Sequence, residues 1–314
     1  MYLLATSYLK VNNKAGAKNA FLICATKNQN LSQKEISLFN YAKLAAELKE
    51  YSSAVTSLDK FLDAYPTSVF KEEAKSLWIS SLAYSNNYVQ ALDAYESIPN
   101  PTTEQLKLYP NLLYGRATLY INDGQVEKAY ALLNKVLNTP YNNYILPQAQ
   151  FWMGELSYKM GRIDAAIEIL ERFMLDPVEL PEVNQRHARY TLGYSYLKKG
   201  NYQKAFDNFS IVAKYNHANM FEAYQQDAFL RMADCQMMLK QFKPALQSYQ
   251  RAIDLELAYV DYATLQKAII LGGMNKVQDK IKILTDFETQ FPKSTYINDA
   301  NMELADTYTN HEKY

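Results

Sequence analysis

The chain has 314 residues, and its 33 basic and 33 acidic side chains give a formal net charge of zero. No overall electrostatic field therefore attracts nucleic acid or an anionic membrane, and no apolar run reaches the length of a membrane span. The N-terminus lacks the basic start and apolar stretch of a secretory signal. The two cysteines, Cys24 and Cys235, are too far apart to pair within a stack of repeats and are predicted to be small buried side chains.

Two small residues twelve positions apart recur along the chain, and the pair returns every 35 to 40 residues. The first member is Ala5, Ala42, Ala117, Gly154, Gly193, Ala233, Ala268 and Ala305, with Ile79 as the exception in the third unit. The second member is Ala17, Ala54, Ala91, Ala129, Ala166, Ala205 and Ala245, with Lys280 as the exception in the eighth unit. A fixed period of this size predicts a solenoid of stacked units.

Within each unit the apolar residues have helical spacing, and a short polar break separates two helices. In the fifth unit these are residues 149–160 and 163–175. A glycine stands at this break in three units, at Gly124, Gly161 and Gly200, where it ends the first helix. Small facing residues predict close approach of the two helices, with bulky residues filling the space around that contact.

The pattern predicts an all-α fold, a solenoid of antiparallel helix pairs with about eight and a half repeats. The whole of residues 1–314 is predicted to form one elongated domain. Its units are residues 1–34, 35–71, 72–109, 110–146, 147–185, 186–225, 226–260 and 261–297, with a partial unit at 298–314.

Residues 152–177 and 192–216 carry a family resemblance in the order of their small, aromatic, Gly, Ala and Pro positions. They resemble tetratricopeptide repeats, and the resemblance covers nearly the entire chain. It implies a right-handed superhelix. The chain departs from the family in its longer period, with extra residues between units at 99–110 and 176–186, which predicts an irregular superhelical pitch.

Two segments, 61–74 and 287–300, show a finer likeness. An aromatic residue followed by Pro-x-Ser and an Ala-containing helix resembles the repeats of the bacterial Tol-Pal coordinator and of outer-membrane assembly lipoproteins. This likeness implies a protein of the bacterial cell envelope, in the periplasm. A cytoplasmic location is the alternative.

The two ends of the chain lack the polar cap that terminal units of a solenoid normally carry. The sequence opens inside a first helix and closes at Tyr314, where the matching positions of other units begin second helices. We therefore expect an excised segment of a longer array. Exposed uncapped ends also predict end-to-end self-association.

No catalytic or metal-binding pattern appears. The three histidines are scattered, no Gly-rich phosphate loop is present, and neither cysteine has metal-ligand spacing. Paired carboxylates such as Asp227 and Asp234 are predicted to be solvated on helix surfaces. The sequence thus predicts a protein that is not an enzyme and holds no cofactor or metal.

The resemblance implies that first helices line a concave groove. Nine residues at or beside the groove positions are predicted to bind a partner: Tyr84, Tyr114, Phe151, Glu155, Tyr158, Lys159, Tyr190, Tyr194 and Lys198. Tyrosine offers a large contact area, a polar tip and few rotatable bonds. The alternative is that the same tyrosines pack between units. Toward the C-terminus, Asp234 and Asp306 are predicted to make the groove acidic.

The lysine and asparagine clamp of chaperone-binding family members is missing, because Thr118, Glu155 and Tyr194 occupy the position of its asparagine. Two functions remain. The first is a non-enzymatic scaffold that binds a peptide or partner segment in its groove, in envelope assembly or another multiprotein complex. The alternative is a docking or input module of a larger signalling or enzymatic protein.

Overall fold

The computed structural model describes residues 1–214 and 222–311, so that Tyr314 lies outside the described residues. Within these ranges all regular secondary structure is helical, in seventeen helices that follow one another as pairs with one left over. This confirms the all-α class and the count of eight and a half repeats. The helices divide between two compact units, Met1–Ala149 and Gln150–Tyr314.

The first unit contains four helix pairs. They are α1 (Tyr2–Lys10) with α2 (Lys14–Lys27), α3 (Leu31–Glu47) with α4 (Tyr51–Ala64), α5 (Lys71–Tyr84) with α6 (Tyr88–Glu96), and α7 (Thr103–Asn122) with α8 (Val126–Leu137). Buried aromatic residues form its core, among them Phe21, Phe39 and Phe61. Trp78 packs, partly buried, against the part of this core around Phe39.

The second unit holds most of α9 and all later helices. They are α9 (Leu146–Lys159) with α10 (Ile163–Phe173), α11 (Gln185–Lys198) with α12 (Tyr202–Lys214), α13 (Ala223–Met238) with α14 (Phe242–Asp254), α15 (Val260–Gly273) with α16 (Val277–Gln290), and α17 (Ile297–His311). One of its core clusters surrounds Phe151, Phe173 and Phe209, and Trp152 packs, partly buried, against that cluster.

All eight turns between paired helices share one backbone geometry. A residue with φ between 55° and 73° ends each first helix: Asn12, Lys49, Asn86, Gly124, Gly161, Gly200, Lys240 and Asn275. The amide of the next residue then donates to the carbonyl five positions back, as Arg162 does to Ser157 at 2.9 Å. This Schellman motif closes the helix, and it forms here with or without glycine.

The paired small residues are buried, as the sequence predicts, with one exception. Ala305 on α17 is exposed, whereas the other alanines of both series are at 0% exposure. The contact itself differs in detail from the prediction of small residue against small residue. A Cβ at Gly154 would lie 2.4 Å from Leu170 Cγ, and one at Gly193 would lie 2.7 Å from the Phe209 ring. The small residue thus makes room for the bulky residue of the second helix.

The two departures from the repeat are accommodated locally. Ile79 is fully buried in place of a small residue. The stem of Lys280 lies against Gly272, and its ammonium reaches Glu303 on α17 at 2.6 Å. Because Glu303 pairs with its ammonium, Lys280 replaces the expected alanine without leaving a buried charge unpaired.

Residues 103–110, part of the stretch that the sequence places between units, belong to α7, whereas 99–102 lie between helices. A capping box between Thr102 and Gln105 starts α7 at Thr103, and Pro110 lies inside this helix. The Thr-x-x-Gln pattern at residues 102–105 is the sequence signal for such a start. The second expected linker is irregular, between the end of α10 at Phe173 and the start of α11 at Gln185.

Both cysteines are free and buried, as predicted. In the described ranges no helix is long and apolar enough to span a membrane. No group of three or more His, Cys, Asp or Glu side chains suited to a metal ion occurs among those residues either.

Candidate functional site

The predicted binding residues of the first unit lie on α5 and α7. Tyr84, the last residue of α5, is 63% exposed and stacks on Tyr51 with ring centroids 4.9 Å apart. Tyr114 on α7 is half-buried. Tyr84 is therefore held by another aromatic ring at the end of its helix while most of its surface stays accessible.

The second unit brings three predicted residues together across two first helices. Tyr158 on α9 and Tyr194 on α11 have ring centroids 6.4 Å apart, and Lys198 Nζ lies 4.6 Å from the centroid of the Tyr158 ring. We refer to Tyr158, Tyr194 and Lys198 as the Tyr158 cluster. Its lysine is exposed, as is the neighbouring Lys159, while both rings are partly exposed.

Tyr190 and Tyr194 also serve the packing of the second unit. Both rings contact Phe209 edge-on, at 6.2 and 5.2 Å, and both hydroxyls donate to the carboxylate of Asp227 on α13. Burial, followed by the hydrogen bond to Asp227, raises the pKa of both phenols. The interpretation of these tyrosines as packing residues therefore applies, since their hydroxyls tie α11 to α13, while both residues stay partly exposed.

Phe151 does not belong to an accessible surface. Its side chain is 2% exposed and packs edge-on against Phe173 at 5.5 Å. The position three before the small residue is thus a core position in α9, and also in α13 and α15, where Leu230 and Leu265 are buried.

Glu155 is the most unusual of the nine residues. It follows Gly154 on α9, and its carboxylate faces Thr191 on α11. Burial raises the pKa of this carboxyl to about 7, while the hydrogen bond with Thr191 and the charge of Lys159 oppose the rise. Its Oε1 atom is buried without a hydrogen-bond partner. A carboxylate oxygen in that situation is costly to ionise.

A second polar cluster was missed by the sequence interpretation, which placed Asp227 and Asp234 in solvent. Arg231 lies between them on α13, with Nε 3.2 Å from Asp227 and its guanidinium also paired to Asp234, and all three side chains are at most 23% exposed. Tyr249 and Tyr262 donate to Asp234 as well. We refer to Asp227, Arg231 and Asp234 as the Arg231 triad.

All three charged side chains of the triad lie on α13, whereas the tyrosine hydroxyls that donate to its carboxylates come from α11, α14 and α15. Burial lowers the pKa of Arg231, but the charges of Asp234 and Asp227 outweigh that effect and raise it. Burial also raises the pKa of Asp234, against the opposing charge of Arg231. The Asp-x-x-x-Arg-x-x-Asp spacing, which puts all three on one face of a helix, was the available signal. Asp306, the other acidic residue expected in this part, is exposed on α17.

A family model matches three segments of the chain. The model of the tetratricopeptide repeat family matches residues 37–68, 148–176 and 227–255. These three segments correspond to α3 with α4, α9 with α10, and α13 with α14. Each match therefore coincides with one helix pair.

A curated relative is the transcription activator GutR of Bacillus subtilis (strain 168), which is 30% identical over 118 residues. That match includes 37% of this chain, and the chain spans only 14% of the length of GutR.

Solved structures that resemble the chain include the C-terminal part of a TPR repeat-containing protein from Cytophaga hutchinsonii (TM-score 0.48, 16% identity, 83% of this chain and 98% of that one). Another is YrrB, a TPR protein with an unusual peptide-binding site (TM-score 0.45, 18% identity, 66% of this chain and 96% of that one). A third is a tetratricopeptide repeat protein from Parabacteroides merdae (TM-score 0.40, 16% identity, 88% of this chain and 99% of that one).

The period of small residues, the uniform helix pairs and the three family matches agree with one another. Solenoid proteins of this kind bind through extended surfaces, and the repeats support a protein–protein interaction scaffold. The chain therefore carries tetratricopeptide repeats at these three helix pairs.

Proposed function

We propose that the second unit binds a segment of a partner protein on the inner side of α9 and α11, at the Tyr158 cluster. The observation that carries this proposal is the cluster itself. Two partly exposed tyrosine rings from different helices lie beside each other under an exposed lysine. Aromatic rings that are already ordered lose little conformational entropy on binding, and they are the side chains that most often anchor interfaces.

The mode of binding follows from the composition of the cluster. The rings offer apolar area to side chains of the partner, while Lys198 and the neighbouring Lys159 offer cationic donors at its edge. An extended peptide segment fits such a surface, since both polar and apolar side chains along it find a counterpart. Phe151 is not part of this surface because it is buried.

The experiment compares capture of partner proteins by variants of the purified chain. We expect Tyr158→Ala combined with Lys198→Ala to lose proteins that the native chain captures from its source cells, with the circular dichroism melt unchanged. The matched control is Tyr202→Ala with Lys199→Ala, because Lys199 is the sequence neighbour of Lys198 but pairs with Asp164 on α10 at 2.8 Å. Equal capture by both double variants would reject the site.

The match to GutR favours a second candidate function. That relative is a transcription activator of which the chain spans 14%. In this alternative, the repeats are a docking or input module, and a signalling or enzymatic activity lies in other domains of the same protein. Reading the gene on both sides of the segment tests it directly. An open reading frame that ends at both borders of the segment would exclude it.

The place in bacterial envelope assembly depends on the likeness of residues 61–74 and 287–300 alone and stays a prediction. Fractionation of the source cells, followed by detection of the chain with an antibody, would test it. Recovery in the cytoplasmic fraction would contradict it.

A further inference from the structure

Three largely buried carboxylates of the second unit differ in how many hydrogen bonds they accept. Asp227 accepts from Tyr190, Tyr194 and Arg231, and Asp234 accepts from Tyr249, Tyr262 and Arg231. Glu155 has the hydrogen bond with Thr191, and its other oxygen has no partner.

The lack of a partner is more significant for Glu155 than for other buried polar atoms. The remaining buried atoms without a partner in the described ranges belong to neutral side chains: Ser37, Ser81, Ser157 and Trp78. A carboxylate needs more hydrogen bonds than a hydroxyl or an indole, and an unsatisfied ionised oxygen costs more. Glu155 is therefore a strong acceptor that the folded chain leaves incomplete.

Lys159 and Lys198 do not complete it. Lys159 acts on Glu155 through its charge but forms no ion pair with it, and the ammonium of Lys198 lies over the Tyr158 ring instead. Glu155 is partly exposed as a residue, and rotation about the last bond of its side chain exchanges the two carboxylate oxygens. Because Oε1 is buried in the unbound chain, a donor from a bound segment reaches it only after a movement of the Glu155 side chain.

We propose that Glu155 receives a basic side chain, lysine or arginine, of the segment that binds at the Tyr158 cluster. The inference rests on the proposed function and adds the chemistry of the ligand. A cationic donor to a carboxylate forms a stronger hydrogen bond than a neutral donor does. The neighbouring rings of Tyr158 and Tyr194 suit the same ligand, since they stack on an alkyl stem or a guanidinium plane.

The test uses random twelve-residue peptides displayed on phage and selected against the immobilised native chain at neutral pH. We expect enriched peptides to carry lysine or arginine at a common position next to apolar residues. For synthetic copies of these peptides, replacement of the basic residue by norleucine should weaken binding to the native chain at least tenfold, measured by fluorescence anisotropy. The same replacement should change little on the Glu155→Gln variant.

A matched control is Glu168→Gln, which neutralises an exposed carboxylate on α10 whose side chain is 71% exposed. This variant should retain the full effect of the norleucine replacement. Peptides that bind at the Tyr158 cluster with no preference for a basic residue would overturn the inference while the proposed function stands. Selected peptides whose binding is unaffected by Tyr158→Ala with Lys198→Ala, or the absence of any selected peptide, would overturn both.

Discussion

At the scale of single residues, Glu155 shows how a repeat position acquires chemistry. The position after the small residue is polar or aromatic in several units, yet only close packing against α11 makes the carboxylate a group that resists ionisation. Its pKa of about 7 compares with 4.5 for an unperturbed glutamate, so the folded chain holds the proton more tightly than the unfolded chain does. The free energy of unfolding therefore includes a contribution that falls as the pH rises from the unperturbed pKa of 4.5 toward about 7.

We expect the Glu155→Gln variant to be more stable than the native chain above pH 7, by about 3 kcal/mol at most, from 1.36 kcal/mol per pKa unit. The two should have similar stability near pH 4.5, where Glu155 is protonated in the folded state. Urea unfolding of both proteins across this range measures the difference. Glu168→Gln should show no such trend, and a constant difference between native chain and Glu155→Gln would contradict the assignment of the raised pKa.

At the scale of helices, the Arg231 triad connects elements that are far apart in the sequence. Arg231 pairs with two carboxylates on its own helix, and those carboxylates accept from tyrosines on α11, α14 and α15. Buried ion pairs add little net stability compared with apolar packing, but removal of one partner leaves an uncompensated charge. The triad thus makes the relative placement of these helices sensitive to one side chain.

We expect Arg231→Met to destabilise the second unit by about 3 kcal/mol, because two largely buried carboxylates then lack their shared cation. Hydrogen exchange should show the loss of protection in α11, α13 and α15. The control is Arg172→Met, which removes a guanidinium that is 55% exposed and paired at i,i+4 with Glu168. Such exposed pairs contribute at most about 1 kcal/mol. Equal losses of unfolding free energy in Arg231→Met and Arg172→Met would show that the triad stabilises the protein no more than an exposed ion pair does.

The sequence predicts the helices well because their period is repeated. Small residues such as Ala166 and Ala205 are fully buried. The sequence predicts a glycine turn in three units, and the same turn geometry occurs in all eight helix pairs. The start of α7 was missed because residues 99–110 are polar and contain proline, a composition that is typical of connections between helices. The capping box at Thr102 carried the information that decides between them.

The candidate site is less predictable for a physical reason. A periodic pattern shows which positions face the neighbouring first helix, but side-chain size decides whether such a position is open or filled. Phe151 and Tyr190 occupy the same repeat position, and the first is 2% exposed while the second is half-buried. The Arg231 triad depends on tyrosines from three other helices, and a sequence read unit by unit does not bring these together.

At the scale of the whole molecule, apolar side chains are exposed on the helices at both ends of the described chain. Leu3 on α1 is 79% exposed, and Met302 on α17 is 67% exposed. Exposed apolar patches commonly mark association surfaces. End-to-end self-association of the chain, which the sequence predicts, would cover them.

We therefore expect the sedimentation coefficient of the native chain to rise with protein concentration. Replacement of Leu3 and Met302 by lysine should abolish the rise, because charged side chains oppose burial of both faces. A sedimentation coefficient that is independent of concentration in the native chain would contradict self-association.

The positions of the two tryptophans have a practical consequence. The chain contains two, and one lies in each compact unit, with Trp78 against the core around Phe39 and Trp152 against the core around Phe151. Indole emission depends on local polarity, so each residue is an intrinsic optical probe of the unit that contains it. Single replacements by phenylalanine would give two proteins of otherwise equal composition, in which the melting of either half is followed by fluorescence without an attached dye.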